Sequence, residues 1–172
     1  MLNSMEKYCK DNELTINTDK TKCMIFNKTG RLIRKKFSLN NSNIETVRSY
    51  KYLGFIITPS GEINTGLNDL RDRAMKAFFK LKTLMGNSFY SHIKTTLHLL
   101  DTLIKPILLY ASDFWGCLKP PKNNPIEKMY YMACKHILGV QKQTTNIGVL
   151  LELGRIPLQS YAIEAAIKTG NE

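Results

Sequence analysis

The side chains that could hold a catalytic metal ion are spread thinly along this 172-residue chain. Metal-catalysed phosphoryl transfer needs carboxylates that lie close together. The six aspartates include no adjacent pair and lie at Asp11, Asp19, Asp69, Asp72, Asp101 and Asp113. Arg71 and Arg73 lie beside the closest two, Asp69 and Asp72, which indicates a charge-balanced helix surface. The sequence therefore predicts no metal site within this chain.

Cysteine and histidine are placed no more favourably for metal binding. The four cysteines include no Cys-x-x-Cys pair and lie at Cys9, Cys23, Cys117 and Cys134. Cys134 and His136 are two residues apart in a predicted helix, a spacing that points their side chains away from each other. Because scattered cysteines are typical of reduced thiols, we expect an intracellular protein, in the nucleus or the cytoplasm.

The net charge favours a polyanionic partner, and the apolar runs predict no membrane-spanning segment. The 25 lysines and arginines outnumber the 14 acidic residues, for a net charge of +11. The excess is +5 in residues 1–50, +4 in 51–100 and +2 in 101–172. The longest apolar run, residues 97–109, is too short and too often interrupted by polar side chains to cross a bilayer.

A cluster of bases follows Gly30 and consists of Arg31, Arg34, Lys35 and Lys36. Lysine and arginine bind backbone phosphates with little regard for base sequence, so this cluster is a candidate nucleic-acid contact. A solvated hairpin tip explains the same cluster equally well.

The first 62 residues alternate between short apolar runs and turn signals, which is typical of small β-structure after an initial helix. We predict a helix over residues 1–12, strands at 14–16, 23–26, 36–39 and 50–57, and turns at 17–20, 40–43 and 58–61. The last strand is rich in aromatic and β-branched residues and is expected to belong to a hairpin.

From Asn64 the apolar period becomes that of a helix. An amphipathic helix is predicted up to Gly86, with an apolar stripe formed by Leu67, Leu70, Ala74, Ala77, Phe78, Leu81 and either Leu84 or Met85. A helical stretch over 91–114 should kink or divide at Pro106. We predict a loop over 118–125, followed by helices at 126–138, 147–153 and 157–168.

Two motifs carry a family resemblance. The first is Leu-x-Ile-Asn-x-x-Lys-Thr-Lys-x-Met-x-Phe at residues 14–26, and the second is Tyr-Lys-Tyr-Leu-Gly at residues 50–54. In this order and at this separation they resemble the last two palm motifs of reverse transcriptases encoded by non-LTR, LINE-type retrotransposons. The strings at 103–115 and 152–158 resemble the region after the thumb, although Ala111 and Asp113 stand where the family often has Gly and Glu.

The resemblance implies a role for one lysine of the first motif. In such polymerases a lysine near the incoming nucleotide is proposed to protonate the leaving pyrophosphate as a general acid. Lys20 is the first choice for that position and Lys22 the second. In the alternative interpretation, both are surface charges at a strand edge.

In the family, the paired aspartates that hold two magnesium ions precede these motifs. None of the aspartates in this sequence matches them. We therefore expect no cofactor in this chain, although the complete enzyme would need magnesium, and no polymerisation by this chain alone.

The resemblance also implies nucleic-acid contacts. Tyr52, Leu53 and Gly54 would form the primer grip, where glycine permits close approach of the backbone to the primer terminus. Otherwise Gly54 marks a bulge in a buried strand.

The helix after residue 63 corresponds to the thumb of the family. Its bases would face the template and product, and the expected contacts are Arg71, Lys76 and Lys80. Trp115 could stack on a base, but a large aromatic between helices more often packs in the core.

Together these observations predict an α+β chain. A small antiparallel palm remnant with a primer-grip-like hairpin (1–62) precedes thumb-like helices (63–117) and a post-thumb helical region (118–172). The expected function is that of part of an RNA-directed DNA polymerase that binds an RNA/DNA primer–template and depends on upstream palm and fingers. The alternatives are a non-catalytic nucleic-acid-binding protein and a decayed gene remnant without a selected function.

Overall fold

The computed structural model describes residues 2–39, 42–116, 118, 121 and 123–170. The chain divides into two compact units, residues 1–63 and residues 64–172. It is an α+β protein, as the sequence predicts, with small sheets in the first unit and helices in the second. Asn40 and Asn41 of a predicted turn, Cys117, and positions 119, 120 and 122 of the predicted loop lie outside the described residues.

The first unit contains one helix and short strands. They are α1 (Leu2–Asp11), β1 (Lys22–Cys23), β2 (Phe37–Leu39), β3 (Ser42–Thr46), β4 (Tyr50–Tyr52) and β5 (Phe55–Ile57). β3 is the central strand of a three-stranded sheet, and β4 pairs with β5 as an antiparallel hairpin. Buried apolar side chains of this unit include Leu39 on β2, Ile44 on β3 and Phe55 on β5. Their removal from water favours the packing of these elements.

The predicted strand at residues 14–16 is wrong, because the backbone there caps α1. Glu13 has a positive φ of 55°, and its N–H donates to the carbonyl of Lys10 at 3.3 Å. The Leu14 N–H donates to the carbonyl of Cys9 at 2.8 Å. These two bonds form a Schellman motif, which satisfies the last carbonyls of a helix. The Leu14 N–H therefore donates within the helix cap and is not available for pairing with a β-strand.

The predicted strand at residues 23–26 is shorter than expected, and its partner is parallel. β1 ends at Cys23, whose carbonyl accepts from the Val47 N–H at 2.9 Å beside β3. The backbone then turns toward another segment, because the Asn27 N–H donates to the Pro59 carbonyl at 2.9 Å. The three-stranded sheet is thus mixed, since β1 and β3 are parallel while β2 and β3 are antiparallel. β3 was not predicted, because Ile44 is its only apolar residue.

The single strand predicted at residues 50–57 is instead a complete hairpin. Tyr52 pairs with Phe55 across a loop of two residues. Leu53 and Gly54 form this loop with φ of 46° and 86°, as a type I′ turn requires. The predicted turn at 58–61 is also present, where the Gly61 N–H donates to the Thr58 carbonyl at 3.0 Å. The hairpin expectation is confirmed, but the chain reverses at residues 53–54, before the turn signal at 58–61.

The described part of the second unit is helical. Its elements are α2 (Asn64–Met85), α3 (Ser88–Ser91), α4 (Ile93–Leu99), a π-helical turn (Leu100–Ile104), α5 (Lys105–Leu108), α6 (Ser112–Trp115), α7 (Pro125–Leu138), α8 (Asn146–Glu152) and α9 (Leu158–Gly170). α2 packs on α7, and α6 packs on α9. The helices predicted at 126–138, 147–153 and 157–168 match α7, α8 and α9 within the usual uncertainty of helix ends.

The apolar stripe predicted for α2 is largely confirmed. Leu67, Leu70, Ala74, Phe78 and Leu81 are buried, and Phe78 meets Phe89 edge to face at 5.7 Å between ring centroids. The stripe ends before Leu84, whose side chain is exposed.

The interruption expected at Pro106 takes the form of the π-helical turn. Proline has no N–H to continue an α-helical ladder. Just before it, the Lys105 N–H donates to the Leu100 carbonyl, five residues back, so the wider turn absorbs the irregularity. Leu100, Ile104 and Leu108 remain buried through the change in helix type.

Trp115 packs in the core of the second unit, so it is no platform for a base. Its side chain is 2% exposed, and its indole N–H donates to the Tyr110 carbonyl at 2.8 Å. The next residue, Gly116, lies so close to α9 that an added Cβ would stand 2.2 Å from the Ala162 carbonyl oxygen. Glycine therefore permits the close packing of α6 on α9.

Candidate nucleic-acid interface

Lys20 lies on an exposed turn that Asn17 organises. The Asn17 side-chain oxygen accepts from the Lys20 N–H at 3.0 Å, and its carbonyl accepts from the Thr21 hydroxyl at 2.7 Å. These local bonds fix the backbone of the turn, and they leave the Lys20 side chain in solvent. The turn predicted at residues 17–20 is thus confirmed.

Lys22 is differently placed, because it lies in β1 and forms an ion pair. Its Nζ is 2.7 Å from Oε2 of Glu45, its register partner on β3. The Lys22 side chain is 28% exposed. Of the two lysines, Lys20 is therefore the one whose ammonium extends into solvent.

The two sequence motifs meet at one cavity of about 250 Å³. Residues 22–24 and Phe26 of the first motif form one side of it, and Tyr50 and Tyr52 of the second form another. Val47 and Ile57 complete the apolar wall, and their contribution was not foreseen because neither belongs to a motif. The structure places Lys22 and Tyr52 at this cavity, whereas Lys20, Leu53 and Gly54 do not line it.

The tip of the β4–β5 hairpin presents apolar groups to solvent. Tyr52 is 58% exposed and Leu53 is 75% exposed. Leucine with a positive φ is strained, because its Cβ crowds the backbone in the left-handed region. Gly54 serves as the second turn residue, so the bulge considered for it is not observed. A strained, exposed apolar tip of this kind is often found at binding sites.

The basic cluster Arg31, Arg34, Lys35 and Lys36 forms an exposed segment between β1 and β2. Arg34, Lys35 and Lys36 line a shallow groove of about 340 Å³ beside β3. The Thr46 hydroxyl donates to the Lys35 carbonyl at 3.1 Å, which ties the segment to the sheet. Arg31 does not line this groove, but its carbonyl accepts from the Asn27 side-chain amide at 2.9 Å.

The predicted bases of α2 do not form one surface. Lys76 and Lys80 are exposed and four residues apart, so they share a helix face. Arg71 lies about 140° around the helix from Lys76, at 100° per residue. It forms a two-pronged contact with Asp72, at 2.7 Å from Nη2 and 2.9 Å from Nε to the same oxygen.

A buried polar cluster joins several helices of the second unit. Arg155 forms an ion pair with Asp101, and this hydrogen bond raises the pKa of Arg155 above its usual range. Burial raises the pKa of Cys134 to about 12 and that of Tyr130 well above its ordinary value. The Cys134 thiol is therefore protonated at neutral pH and is no nucleophile. The cluster therefore joins helices of the second unit and stabilises their packing.

The described residues contain no group of three or more His, Cys, Asp or Glu side chains that could hold a metal ion. No helix within the described ranges is both long enough and apolar enough to cross a bilayer. The thiols of Cys9, Cys23 and Cys134 are free.

Comparisons of the chain with protein-family models, with curated proteins and with solved structures find no match. The family resemblance therefore depends on the residues of the motifs themselves.

Proposed function

We propose that this chain is the later palm and thumb part of a retrotransposon-type reverse transcriptase, and that it holds primer and template. The observation that carries the proposal is the 250 Å³ cavity, because residues from both palm-like motifs line it. The two motifs are more than 20 residues apart in the sequence. Their meeting in the first unit is the arrangement that a shared role in primer binding requires.

Within this proposal, the tip of the hairpin contacts the end of the primer. Tyr52 and Leu53 offer exposed apolar surface for a sugar or base. Tyrosine and leucine can contact nucleotides without reading their sequence, which suits a polymerase. Lys20 would act on the leaving pyrophosphate, since its exposed ammonium can donate a proton. Magnesium bound by the remainder of the palm would stabilise the charge on the transferring phosphoryl group.

The basic cluster supplies the phosphate contacts. Arg34, Lys35 and Lys36 line one groove. Neutralising these three residues and Arg31 should remove the part of the affinity that depends on counterion release. For four lost contacts the slope of log affinity against log salt should fall by about 3.

A binding measurement tests this role. Fluorescence anisotropy of a labelled RNA/DNA primer–template compares the variant R31Q/R34Q/K35Q/K36Q with the control K7Q/K10Q/K28Q/R48Q. The control removes the same charge from exposed positions of the same unit. The proposal requires the first variant to lose more affinity and more salt dependence than the control. Equal losses would show that only net charge matters.

Primer extension tests the expectation that this chain alone does not polymerise. Purified protein, an RNA template, a DNA primer, nucleotides and magnesium should give no extension. Incorporation that persists in the Lys20→Ala variant would contradict both the expected inactivity and the role given to Lys20.

A non-catalytic nucleic-acid-binding protein is the second candidate, and the basic groove beside β3 favours it. Exposed apolar side chains away from the hairpin tip favour the polymerase fragment, because a complete palm would cover them. They include Met5, Tyr8, Leu14, Phe26 and Ile33. Thermal unfolding followed by circular dichroism separates the candidates, since a self-sufficient protein unfolds cooperatively and a fragment or decayed remnant unfolds broadly.

A further inference from the structure

Two cavities of the second unit adjoin each other along α7. The first, of about 570 Å³, lies between α2 and the beginning of α7. The second, of about 730 Å³, lies beside the end of α7 and the residues that follow it. Lys128 and Met132 line both cavities, so the two meet at these side chains and are here together called the α7 groove.

The α7 groove is cationic. Lys128, Lys135 and Lys142 line it, together with Arg71. No acidic side chain is among its described lining residues, although Asp72 partly neutralises Arg71 through their ion pair. Lys128 and Lys135 are seven residues apart, so they share a helix face about 10 Å apart along the axis. A chain of several negative charges matches this spacing better than a single anion does.

An aromatic side chain lies between those two lysines. Tyr131 shares their helix face, is half-buried and lines the groove. Burial and the neighbouring Glu127 raise its pKa to about 12, so its ring stays neutral. His136 lines the same cavity. The His136 ring contacts the ring of Phe78, with 6.0 Å between the ring centroids. Burial and the nearby Lys82 lower the pKa of His136.

We propose that the α7 groove binds single-stranded nucleic acid, with the lysines on successive phosphates and Tyr131 stacked on a base. A base can reach Tyr131 only if it is unpaired, because a duplex keeps its base faces inside the stack. Amide side chains along the groove, such as Asn68 and Gln141, can donate to and accept from base edges. An acidic peptide would satisfy the lysines but would leave the aromatic face without a partner.

This site goes beyond the proposed primer grip and does not depend on it. The α7 groove is formed entirely by the second unit, while the hairpin tip and the basic cluster belong to the first. Loss of binding at one site therefore need not affect the other, and the two sets of variants can be measured separately.

The test measures anisotropy of a labelled single-stranded oligonucleotide of about 12 nucleotides, within the usual range of single-strand sites. The variant K128Q/K142Q removes two exposed lysines of the groove, and K94Q/K168Q removes two exposed lysines elsewhere in the same unit. Lys135 is left intact because its Nζ donates to the Lys142 carbonyl at 2.8 Å. The proposal predicts about tenfold weaker binding for the groove variant than for the control, and a salt slope lower by about 1.4 than that of the wild-type protein.

Tyr131→Leu tests stacking apart from charge, and it should weaken binding about fivefold or more. Thermal melts establish that each variant is folded. Equal affinities of K128Q/K142Q and K94Q/K168Q would overturn the proposal. So would tighter binding of a duplex of equal length, or equally tight binding of polyglutamate of matched charge.

Discussion

Lys22 and Glu45 form an ion pair of 2.7 Å across the parallel strands β1 and β3. The pair links the first palm-like motif to a strand that lies outside both motifs. It neutralises Lys22, so Lys20 and the basic cluster carry the free positive charge expected to attract nucleic acid near this motif.

Glu45→Gln should therefore strengthen nucleic-acid binding while changing stability little. The Glu45 side chain is 67% exposed, and exposed ion pairs contribute about 1 kcal/mol or less to the free energy of unfolding. The substitution removes one negative charge and frees Lys22 for a phosphate, so affinity for a primer–template should rise a few-fold at low salt. Glu62, an exposed glutamate of the same unit, provides the control substitution Glu62→Gln. An increase in affinity no larger than that of the control would show that Lys22 does not contact the nucleic acid.

Leu53→Asn should stabilise the first unit and weaken primer binding. Asn-Gly is the preferred pair for a type I′ turn, and relief of the strained leucine should add about 0.5–1 kcal/mol to the free energy of unfolding. The same change removes the most exposed apolar group of the hairpin tip. Urea denaturation and primer–template anisotropy measure the two effects. Stabilisation with unchanged affinity would show that the tip is not a contact.

Gly116→Ala should destabilise the second unit by about 1–3 kcal/mol or more. The new methyl group would meet the Ala162 backbone carbonyl at 2.2 Å, and a backbone atom cannot move aside as a flexible side chain can. Gly148→Ala is the matched control, because its Cβ would meet only the Thr145 hydroxyl, at 2.8 Å, which can rotate away. Chemical denaturation of both variants should show a large loss for Gly116→Ala and a change within about 1 kcal/mol for Gly148→Ala.

Asp101→Ala should cost about 2 kcal/mol or more, because it leaves the Arg155 guanidinium unpaired. The Arg155 side chain is 15% exposed, so water replaces the lost partner poorly. Asp113→Ala removes an exposed aspartate of α6 and should change the free energy of unfolding by less than about 1 kcal/mol. Similar losses in the two variants would mean that the ion pair contributes nothing beyond a surface charge.

Alkaline pH should destabilise the second unit through Cys134. Burial raises its pKa from 9.0 to about 12 in the folded state, so between these values the unfolded thiol ionises and the folded one does not. Stability is therefore complete below pH 9 and falls as the pH rises above 9, by up to about 1.4 kcal/mol per pH unit for one group. Denaturation midpoints at successive pH values should decline less steeply between 9 and 10 in Cys134→Ala. If the midpoints of Cys134→Ala decline with pH as steeply as those of the wild-type protein, ionisation of Cys134 is not the cause of the destabilisation.

The long helices were predictable because their signals are local. α2 and α7 carry apolar residues at helical spacing, and Gly139, with a φ of 68°, ends α7 where the sequence indicated. The strand at 14–16 was not predictable from its apolar pattern, because the capping of α1 depends on the conformation of Glu13. β3 was missed because its strand character comes from its partners β1 and β2 rather than from its own residues.

The candidate site was predictable only in part. Lys22 and Tyr52 lie at one cavity, but their meeting depends on the pairing of β1 with β3, which no local signal revealed. Arg71 and Lys76 could be assigned to one helix, although only the helix geometry shows that they face different directions. The α7 groove combines residues from α2, α7 and the following loop, so no stretch of sequence indicates it.

Photocrosslinking from the primer terminus tests the central claim most directly. A primer–template that carries a photoreactive base at the primer 3′ end is bound to the full chain, irradiated and digested, and the modified peptides are identified by mass spectrometry. The proposed function predicts adducts within residues 20–26 and 50–54, and Leu53→Asn should reduce them. Adducts confined to α9, or no adduct under conditions where anisotropy shows binding, would contradict a primer grip in this chain.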